Sequence, residues 1–250
     1  MLASAKPIID IPNHLLDMGI YDIYNPPVMY ESPLLGDNAQ KGILGGTKFI
    51  PLDSFMPDDA FVIASKDHQT IKDIATSIKF IKGGPRKDIF FNPDEVKAAI
   101  VTCGGLCPGL NVVIREIVMS LWFNYEVKEI YGIKWGYKGF YTDVEQNWVK
   151  LGPEHVSDVH KLGGTFLGSS RGGFDGDKII NSLLERGIKQ VYIIGGDGTH
   201  RGINALSKMA ADRGVEIAFA GIPKTIDNDI PIIDSSFGFA TSCEVAAQMI

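Results

Sequence analysis

The sequence predicts an α/β fold: a Rossmann-like, mostly parallel sheet with helices on both faces, which gives three layers. Apolar runs at 191–194 and 217–220 each end in glycine and then in acidic or hydroxyl residues, and a segment of helical length separates them. Short apolar runs bounded by glycine are typical of buried strands, so this stretch indicates a βαβ unit. Because ligands of open parallel sheets bind beyond the carboxyl ends of the strands, we expect both polar clusters at one edge.

The first 94 residues are predicted to be a proline-rich extension and not a separate domain. Nine of the thirteen prolines lie before residue 94, which is too many for long regular elements. Aromatic side chains such as Tyr21, Tyr24 and Phe49 indicate that parts of the extension pack against the rest of the protein. Within it, 66–81 is compatible with a short helix.

The compact domain is predicted at 95–250, and its elements follow from apolar periodicity and glycine boundaries. They are, in chain order, a strand at 95–102, a glycine loop at 103–111, a helix at 112–123, a strand at 129–133, a short helix at 155–162, a glycine-dense loop at 163–173, an amphipathic helix at 175–187, the strand at 191–194, a helix at 199–212 and the strand at 217–220. Residues 246–250 have the pattern of a helix interior, with no capping signal.

Composition and charge restrict the class of function. A net charge of −6 argues against a surface that coats nucleic acid. The long uncharged stretch at 98–114 contains glycines and Pro108, so it does not predict a membrane span. Three cysteines, Cys103, Cys107 and Cys243, are too few and scattered for a disulfide framework, which favours a reducing compartment. The N-terminus lacks the features of a secretory or transit peptide, so the cytoplasm is the expected location.

Several loops of the compact domain indicate phosphate binding. A glycine loop precedes the helix at 112–123, and a glycine turn opens the helix near Thr199, so backbone N–H groups and a helix dipole would face an anion. Arg171 lies between serines and glycines, where a guanidinium would reach a phosphate with two parallel hydrogen bonds. The alternative for Arg171 is a surface residue of a flexible loop, and a single glycine loop is weak evidence.

Phosphoryl transfer also needs a ligand for Mg²⁺ and a base for the attacking hydroxyl. Asp197 follows a buried strand and suits a Mg²⁺ ligand, although a turn-capping aspartate fits its position equally well. Asp227 and Asp229 would lie on one side of an extended segment, where one of them acts as the base. The alternative is an Asx-type turn, which Asn228 favours.

Two further clusters bear on this site. Lys224 and Thr225 add a cation and a hydroxyl to the turn that carries the two aspartates, which favours a functional site over a plain turn. Aromatic residues and lysines interleave at 134–141, a pattern that suits stacking of a nucleotide base and equally suits a glycine-bent loop with packed aromatics. Both interpretations of 134–141 stay open.

Four segments, in this order, resemble the phosphofructokinase family. They are Gly-Gly-x-x-Pro-Gly-x-Asn at 104–111, Gly-Gly-Thr-x-Leu-Gly-x-Ser-Arg at 163–171, Gly-Gly-Asp-Gly-Thr at 195–199 and Pro-Lys-Thr-Ile-Asp-Asn-Asp at 223–229. The resemblance runs from about Val96 to Ile250 and is nearest to the plant-like ATP-dependent branch. It implies the N-terminal domain of an enzyme that uses ATP and Mg²⁺ to phosphorylate fructose 6-phosphate, the committed step of glycolysis. It also implies that the second domain of the family is absent from this chain, and that the enzyme is a homo-oligomer, a tetramer in the family.

Carried over by position, the resemblance implies a role for individual residues. Asp227 and Thr225 would be catalytic, with Asp227 as the base that takes the proton of the sugar 1-hydroxyl. Arg171 would stabilise the transferring phosphoryl group, and Asp197 would serve Mg²⁺. The residues expected to line the nucleotide are Gly105, Arg171, Gly172, Gly196, Asp197, Gly198 and Thr199, and those expected to hold the sugar phosphate are Lys224, Thr225, Ile226, Asp227 and Asp229.

Gly198 is predicted to decide the phosphoryl donor. Glycine leaves room for the inner phosphate of ATP, whereas the similar pyrophosphate-using enzymes have aspartate at this position. Because Lys224 is typical of pyrophosphate users, a pyrophosphate-dependent enzyme stays an alternative. A non-catalytic nucleotide-binding subunit or fragment is another. Diacylglycerol and NAD kinases resemble only the turn at 195–199 and lack the segment at 223–229.

Overall fold

The structure is a computed structural model that describes residues 30–32, 55–57, 60–63, 79–230, 233 and 235–250. Within this part of the chain the strands are β1 (Tyr30–Glu31), β2 (Phe61–Ile63), β3 (Lys79–Ile81), β4 (Asp88–Ile89), β5 (Lys97–Thr102), β6 (Glu129–Ile133), β7 (Trp148–Leu151), β8 (Gln190–Gly195) and β9 (Ala218–Pro223). The α-helices are α1 (Leu110–Met119), α2 (Val144–Asn147), α3 (Pro153–Val156), α4 (Gly176–Glu185), α5 (Asp197–Asp212) and α6 (Phe239–Met249). Short 3₁₀ helices cover Pro93–Glu95, Gly136–Phe140 and Val159–Lys161, and a π-helical turn covers Ser120–Asn124.

Five strands form the central sheet in the order β7-β6-β5-β8-β9. β5 pairs in parallel with β6 and β8, and β8 pairs in parallel with β9, while β7 is an antiparallel edge strand on β6. The chain leaves β5 for β6 on one side and later continues to β8 on the other side. Such a reversal opens a crevice at the carboxyl ends of the strands, where ligands of open α/β sheets bind. The predicted mostly parallel sheet is confirmed.

The central strand β5 is buried on both faces, and this produces the three layers. Ala98 and Ile100 face one side, where they belong to the core cluster that includes Ile114 of α1. Ala99 and Val101 face the other side and share a second cluster with residues of α4 and α5. A short strand buried on both faces needs a continuous apolar run, which the sequence supplies. The predicted three-layer arrangement is confirmed.

The helix after the glycine-dense loop begins and ends where the sequence predicts. Asp175 caps α4 because its side chain accepts a hydrogen bond from the Lys178 N–H (3.2 Å). Gly187 ends it with a left-handed backbone (φ 66°), and its N–H donates to the Leu184 carbonyl (3.0 Å). Glycine adopts this conformation without the steric cost that a side chain brings.

Two helices of the compact domain differ from their predicted form, and one strand was missed. The helix predicted at 112–123 is α1 followed by the π-helical turn, in which the Tyr125 N–H reaches back five residues to the Ser120 carbonyl (3.2 Å). The single helix predicted at 155–162 is two separate turns, because Pro153 starts the first turn early in the N1 position that proline favours. Strand β7 was not predicted, since four residues of an edge strand give too short a pattern.

Near the N-terminus, two antiparallel strand pairs are described, β1 with β4 and β2 with β3, and neither joins the central sheet. Most of the helix predicted at 66–81 lies outside the described residues, and the last three residues of that range form β3 and not a helix. The division into an extension at 1–94 and a domain at 95–250 stays a prediction. Across the described ranges, none of the helices combines the length and the apolar character that crossing a membrane requires.

Candidate active site

The carboxyl ends of β5, β6, β8 and β9 meet at one edge of the sheet because these strands are parallel. Each strand is followed there by one of the polar or glycine-rich segments that the sequence singles out. The loop at 163–173 reaches the same edge through contacts with the β5 loop. The expectation that β8 and β9 deliver their polar clusters to one edge is confirmed, since the Lys224 N–H donates to the Gly195 carbonyl (2.9 Å).

Lys224 joins the β9 turn to the β5 glycine loop. Its side-chain amine donates to the Gly105 carbonyl (2.6 Å), and the residue is only 5% exposed. Burial lowers the pKa of the Lys224 amine from its ordinary value, and the guanidinium of Arg171 acts in the same direction. The structure therefore gives Lys224 a contact within the protein, and its predicted contact with a substrate stays a prediction.

The Arg171 side chain lies beside the β5 glycine loop, as the Lys224 side chain does. The nearest guanidinium nitrogen is 3.9 Å from the position that a Cβ atom on Gly105 would occupy. The loop that carries Arg171 is fixed on either side of Gly104, whose N–H donates to the Ser170 carbonyl (3.0 Å) and whose carbonyl accepts from the Ser169 hydroxyl (2.6 Å). Arg171 itself is exposed at the site. These bonds attach Ser169 and Ser170 to the β5 loop, and the role of the exposed Arg171 side chain stays a prediction.

Two buried polar residues, neither of which was predicted to have a role, hold the base of this loop in place. The Thr102 hydroxyl donates to the Gly168 carbonyl (2.6 Å). The Asn111 side chain donates to the Leu162 carbonyl (3.0 Å) and accepts from the Phe166 N–H (2.6 Å). In the sequence, the only sign of these roles is a polar residue at the end of an apolar strand (Thr102) or in the first turn of a helix (Asn111), because a buried polar group needs a hydrogen-bond partner. The partners, more than fifty residues away in sequence, are visible only in the fold.

The turn after β8 forms the N-terminus of α5. Gly196 is the N-cap residue, and the helix begins at Asp197, two residues earlier than predicted. Asp197 makes no capping hydrogen bond; its carboxylate, 78% exposed, pairs with Arg201 one turn later. The turn-capping alternative for Asp197 is therefore wrong. Gly198 has no atom within 4 Å of the position of a Cβ, and Thr199 is buried with its carbonyl accepting from Tyr137 Oη (2.8 Å).

His200 borders this turn. Its Nδ1 lies 3.0 Å from the Gly196 carbonyl, and because a carbonyl only accepts, Nδ1 carries the proton. Among the described residues no group bonds to its buried Nε2. The imidazole packs against Gly221 of β9, where a side chain would meet its ring atoms at 3.0 Å. His200 thus connects the β8 turn with the adjacent strand.

The turn after β9 carries the two predicted acidic site residues. Thr225 organises it: its hydroxyl donates to the Asp229 carboxylate (2.8 Å) and accepts from the Asp227 N–H (3.1 Å). The second bond, from the amide two residues later, makes a turn around the Thr225 hydroxyl, so this turn takes the place of the alternative Asx-type turn at Asn228. Asn228 has a left-handed backbone (φ 55°), so the segment is not extended and simple alternation does not place Asp227 and Asp229. Ile226, also predicted to line the site, is 47% exposed.

The cysteines near the site are not thiolates at neutral pH. Burial raises the pKa of Cys103 to about 12, and it also raises the pKa of Cys107. The Cys107 thiol donates to the Phe237 carbonyl (3.1 Å). Two positive groups, Lys224 and Arg171, lie beside Gly105 of the β5 glycine loop.

Glycine turns at the crevice of a doubly wound sheet, two cations beside one of them and an acidic turn nearby are the features of α/β domains that bind phosphate groups. A profile of the phosphofructokinase family matches residues 97–250. The chain belongs to the phosphofructokinase family.

Individual relatives agree with this assignment. ATP-dependent 6-phosphofructokinase 7 of Arabidopsis thaliana is 47% identical over 242 residues, which cover 96% of this chain and 46% of that protein. ATP-dependent 6-phosphofructokinase 4, chloroplastic, of the same plant is 46% identical over 220 residues, 82% of this chain and 41% of that protein. This chain thus spans about half the length of the curated relatives it matches. The crystal structure of Pichia pastoris phosphofructokinase in the T-state matches with a TM-score of 0.56 over 74% of this chain and 20% of that one; at 23% identity it supports the fold alone.

Proposed function

We propose that the complete protein transfers the terminal phosphate of ATP to fructose 6-phosphate and forms fructose 1,6-bisphosphate and ADP. Family membership and the names of the relatives support this reaction. The observation in the structure that carries it is the convergence on one glycine loop: the Lys224 amine bonds to Gly105 and the Arg171 guanidinium lies beside Gly105. Three residues beyond Lys224, the chain reaches Asp227.

The phosphate side of the site consists of glycine turns and one arginine. Backbone N–H groups at the start of α5 and the dipole of that helix favour the negative charge of a nucleotide, which supports the roles of Gly196, Gly198 and Thr199. Gly172, with a left-handed backbone (φ 72°) and no atom within 4 Å of a Cβ position, leaves open space beside Arg171. The guanidinium would stabilise the charge that develops on the phosphoryl oxygens during transfer.

The proton side of the reaction belongs to the Thr225–Asp229 turn. The Asp227 carboxylate would take the proton of the sugar 1-hydroxyl while that oxygen forms its bond to the terminal phosphorus. The bond from phosphorus to the bridging oxygen of ATP breaks, and ADP leaves with that oxygen. Asp227 is exposed, and its backbone is fixed by Thr225, whose bond to Asp229 also orients the second acidic residue.

The residues present suit Mg²⁺, the cofactor that we propose. Mg²⁺ in such sites is held by one or two carboxylates together with water and substrate phosphates. Asp197 offers an exposed carboxylate in the first turn of α5, next to the proposed nucleotide turn. When bound, Mg²⁺ would neutralise charge on the phosphates of ATP. Arg201, which pairs with Asp197, would have to release this carboxylate.

We extend the proposal to the organisation of the protein. Residues 1–94 form an extension and 95–250 the nucleotide- and sugar-phosphate-binding domain, and the protein acts as a homo-oligomer. The cytoplasm is the proposed location, although one relative at 46% identity is named chloroplastic. Gentle lysis of cells, separation of cytosol from intact organelles and immunodetection of the protein in each fraction test the location.

A coupled assay of the complete gene product with fructose 6-phosphate and either ATP or pyrophosphate tests the reaction. We expect turnover with ATP and Mg²⁺, and we expect Asp227→Asn to lower kcat by about 10²–10⁴-fold because a positioned base is lost. Asp212→Asn, the same change at an exposed position on the far end of α5, is the matched control and should keep full activity. Activity with pyrophosphate alone would reject the proposed donor, and full activity of Asp227→Asn would reject the proposed base.

A further inference from the structure

Ser236 is a buried serine that lies outside all four sequence segments of the site. It is 3% exposed and precedes α6 by three residues. Its hydroxyl accepts a hydrogen bond from the Thr225 N–H (3.1 Å), and its own N–H donates to the Asn228 side-chain oxygen (2.6 Å). Ser236 is therefore bonded to residues on both sides of Asp227.

The turn between Thr225 and Asn228 contains an unfavourable backbone conformation that these bonds stabilise. Asn228 has a left-handed backbone (φ 55°). This conformation is unfavourable for any residue that has a side chain, although asparagine tolerates it better than most. The bond from Ser236 to the Asn228 side chain and the bond from the Asp227 N–H to Thr225 hold this conformation together. All of these bonds use backbone groups or other side chains, so they leave the Asp227 carboxylate free to act.

The segment that carries Ser236 is itself attached to the β5 glycine loop. The Phe237 carbonyl accepts from the Cys107 thiol (3.1 Å), and the Phe237 ring lies 3.3 Å from the position of a Cβ on Gly109. Gly238 packs so closely on Pro108 that a side chain at 238 would overlap the Pro108 carbonyl. Ser236 thus connects the acidic turn to the loop that also holds Lys224 and adjoins Arg171.

We propose that Ser236 is a positioning residue that fixes the Asp227 carboxylate relative to the phosphate loop. This proposal rests on the proposed role of Asp227 as the base. Removal of the hydroxyl leaves the Thr225 N–H without its acceptor, and the turn then loses one of its two attachments to Ser236. Because a displacement of about 1 Å of a reacting group costs about 10²-fold in rate, the effect appears in kcat.

The experiment measures kcat and KM of the complete gene product for Ser236→Ala and Ser236→Thr. We expect Ser236→Ala to lower kcat by about 10²-fold with an unchanged KM for MgATP, and Ser236→Thr, which keeps the hydroxyl, to recover most of the rate. A second variant acts on the other bond without touching the buried serine. Asn228→Gly keeps the left-handed backbone, adds no charge, loses the acceptor and should resemble Ser236→Ala.

A double-mutant cycle separates positioning from a general structural effect. In an Asp227→Asn background, Ser236→Ala should cause no further loss of kcat, since residues that act as a unit are not additive. An equal loss in both backgrounds, or an unchanged kcat in Ser236→Ala, overturns the proposal. If Ser236→Ala does not fold, Asn228→Gly decides, and a wild-type kcat in Asn228→Gly rejects the role.

Failure of the proposed function would look different. In that case the wild-type protein itself does not phosphorylate fructose 6-phosphate, and hydrogen exchange then tests Ser236. A peptide covering 222–230 should exchange faster in Ser236→Ala than in the wild type, because the Thr225 amide loses its acceptor. Unchanged exchange would reject the anchoring role whatever the protein catalyses.

Discussion

Substitution of Gly198 tests whether the site binds the triphosphate of ATP. In most positions a glycine is explained by its backbone or by a close neighbour, but Gly198 lies in the first turn of α5 with no positive φ and with no atom within 4 Å of a Cβ position. The fold therefore accepts a side chain at this position. If glycine is needed here, the reason is the ligand, and Gly198→Asp should damage use of ATP without damaging the fold.

The expected size of the effect follows from charge. A carboxylate about 5 Å from a phosphate charge, at an effective dielectric constant of about 20, is repelled by about 3 kcal/mol, which corresponds to roughly 10²-fold in affinity. Stability should not fall, because an acidic residue in the first turn of a helix gains about 0.3–1 kcal/mol from the helix dipole. Gly198→Ala is the matched control: it adds only a methyl group in open space and should keep the ATP reaction.

Steady-state kinetics of the complete gene product, with thermal unfolding of each variant, provide the measurement. We expect kcat/KM for ATP to fall by roughly 10²-fold in Gly198→Asp and to stay near the wild-type value in Gly198→Ala, with melting temperatures equal to or above that of the wild type. Full ATP activity in a folded Gly198→Asp protein would refute the reasoning. A similar loss in Gly198→Ala would also refute it, since volume and not charge would then be responsible.

Three further predictions concern other parts of this edge. The Trp135 side chain is 55% exposed, and its indole ring lies against Gly168. If this ring stacks on the adenine base, Trp135→Ala should lower kcat/KM for ATP by the equivalent of about 1–3 kcal/mol, whereas Trp135→Phe should keep it near the wild-type value. Binding of tripolyphosphate, which has no base, should be the same in all three proteins. Arg171→Lys should lower kcat by about 10²–10³-fold, because one donor of a preorganised charge site is lost, whereas Arg213→Lys, an exposed ion-pair change outside the site, should not. A thiol reagent at pH 8 should modify exposed Cys243 first, since burial raises the pKa values of the other two thiols; Cys243→Ser should then remove the fast phase of labelling.

Much of the fold was predictable because its signals are local. β8, α4 and β9 lie close to their predicted ranges, since apolar runs ended by glycine and a 3.6-residue period persist over whole elements. The weak points were short elements. β7 has four residues, and the π-helical turn at 120–124 is chosen by packing and not by a pattern that the sequence displays.

The turn at 225–229 shows why site geometry is harder to predict than site membership. The sequence predicts an extended backbone that puts Asp227 and Asp229 on one side, with an Asx-type turn at Asn228 as the alternative. The fold instead makes Thr225 the organising residue and gives the Asn228 side chain to Ser236. Three or more competing acceptors lie within a few residues here, and the choice among them depends on groups that the fold brings in.

The class of fold and the set of segments that meet at one edge follow from the order of residues alone, because parallel strands carry the segments that follow them to the same edge of a sheet. The bonds between those segments are visible only in the folded chain: Lys224 bonds to Gly105, Asn111 bonds to Leu162 and Phe166, and Ser236 bonds to the acidic turn. The bonds of Lys224 and Asn111 join buried polar groups to partners more than fifty residues away, and Ser236 reaches back eleven residues to Thr225. Burial makes a partner necessary, but which partner is available depends on the packing of the whole domain.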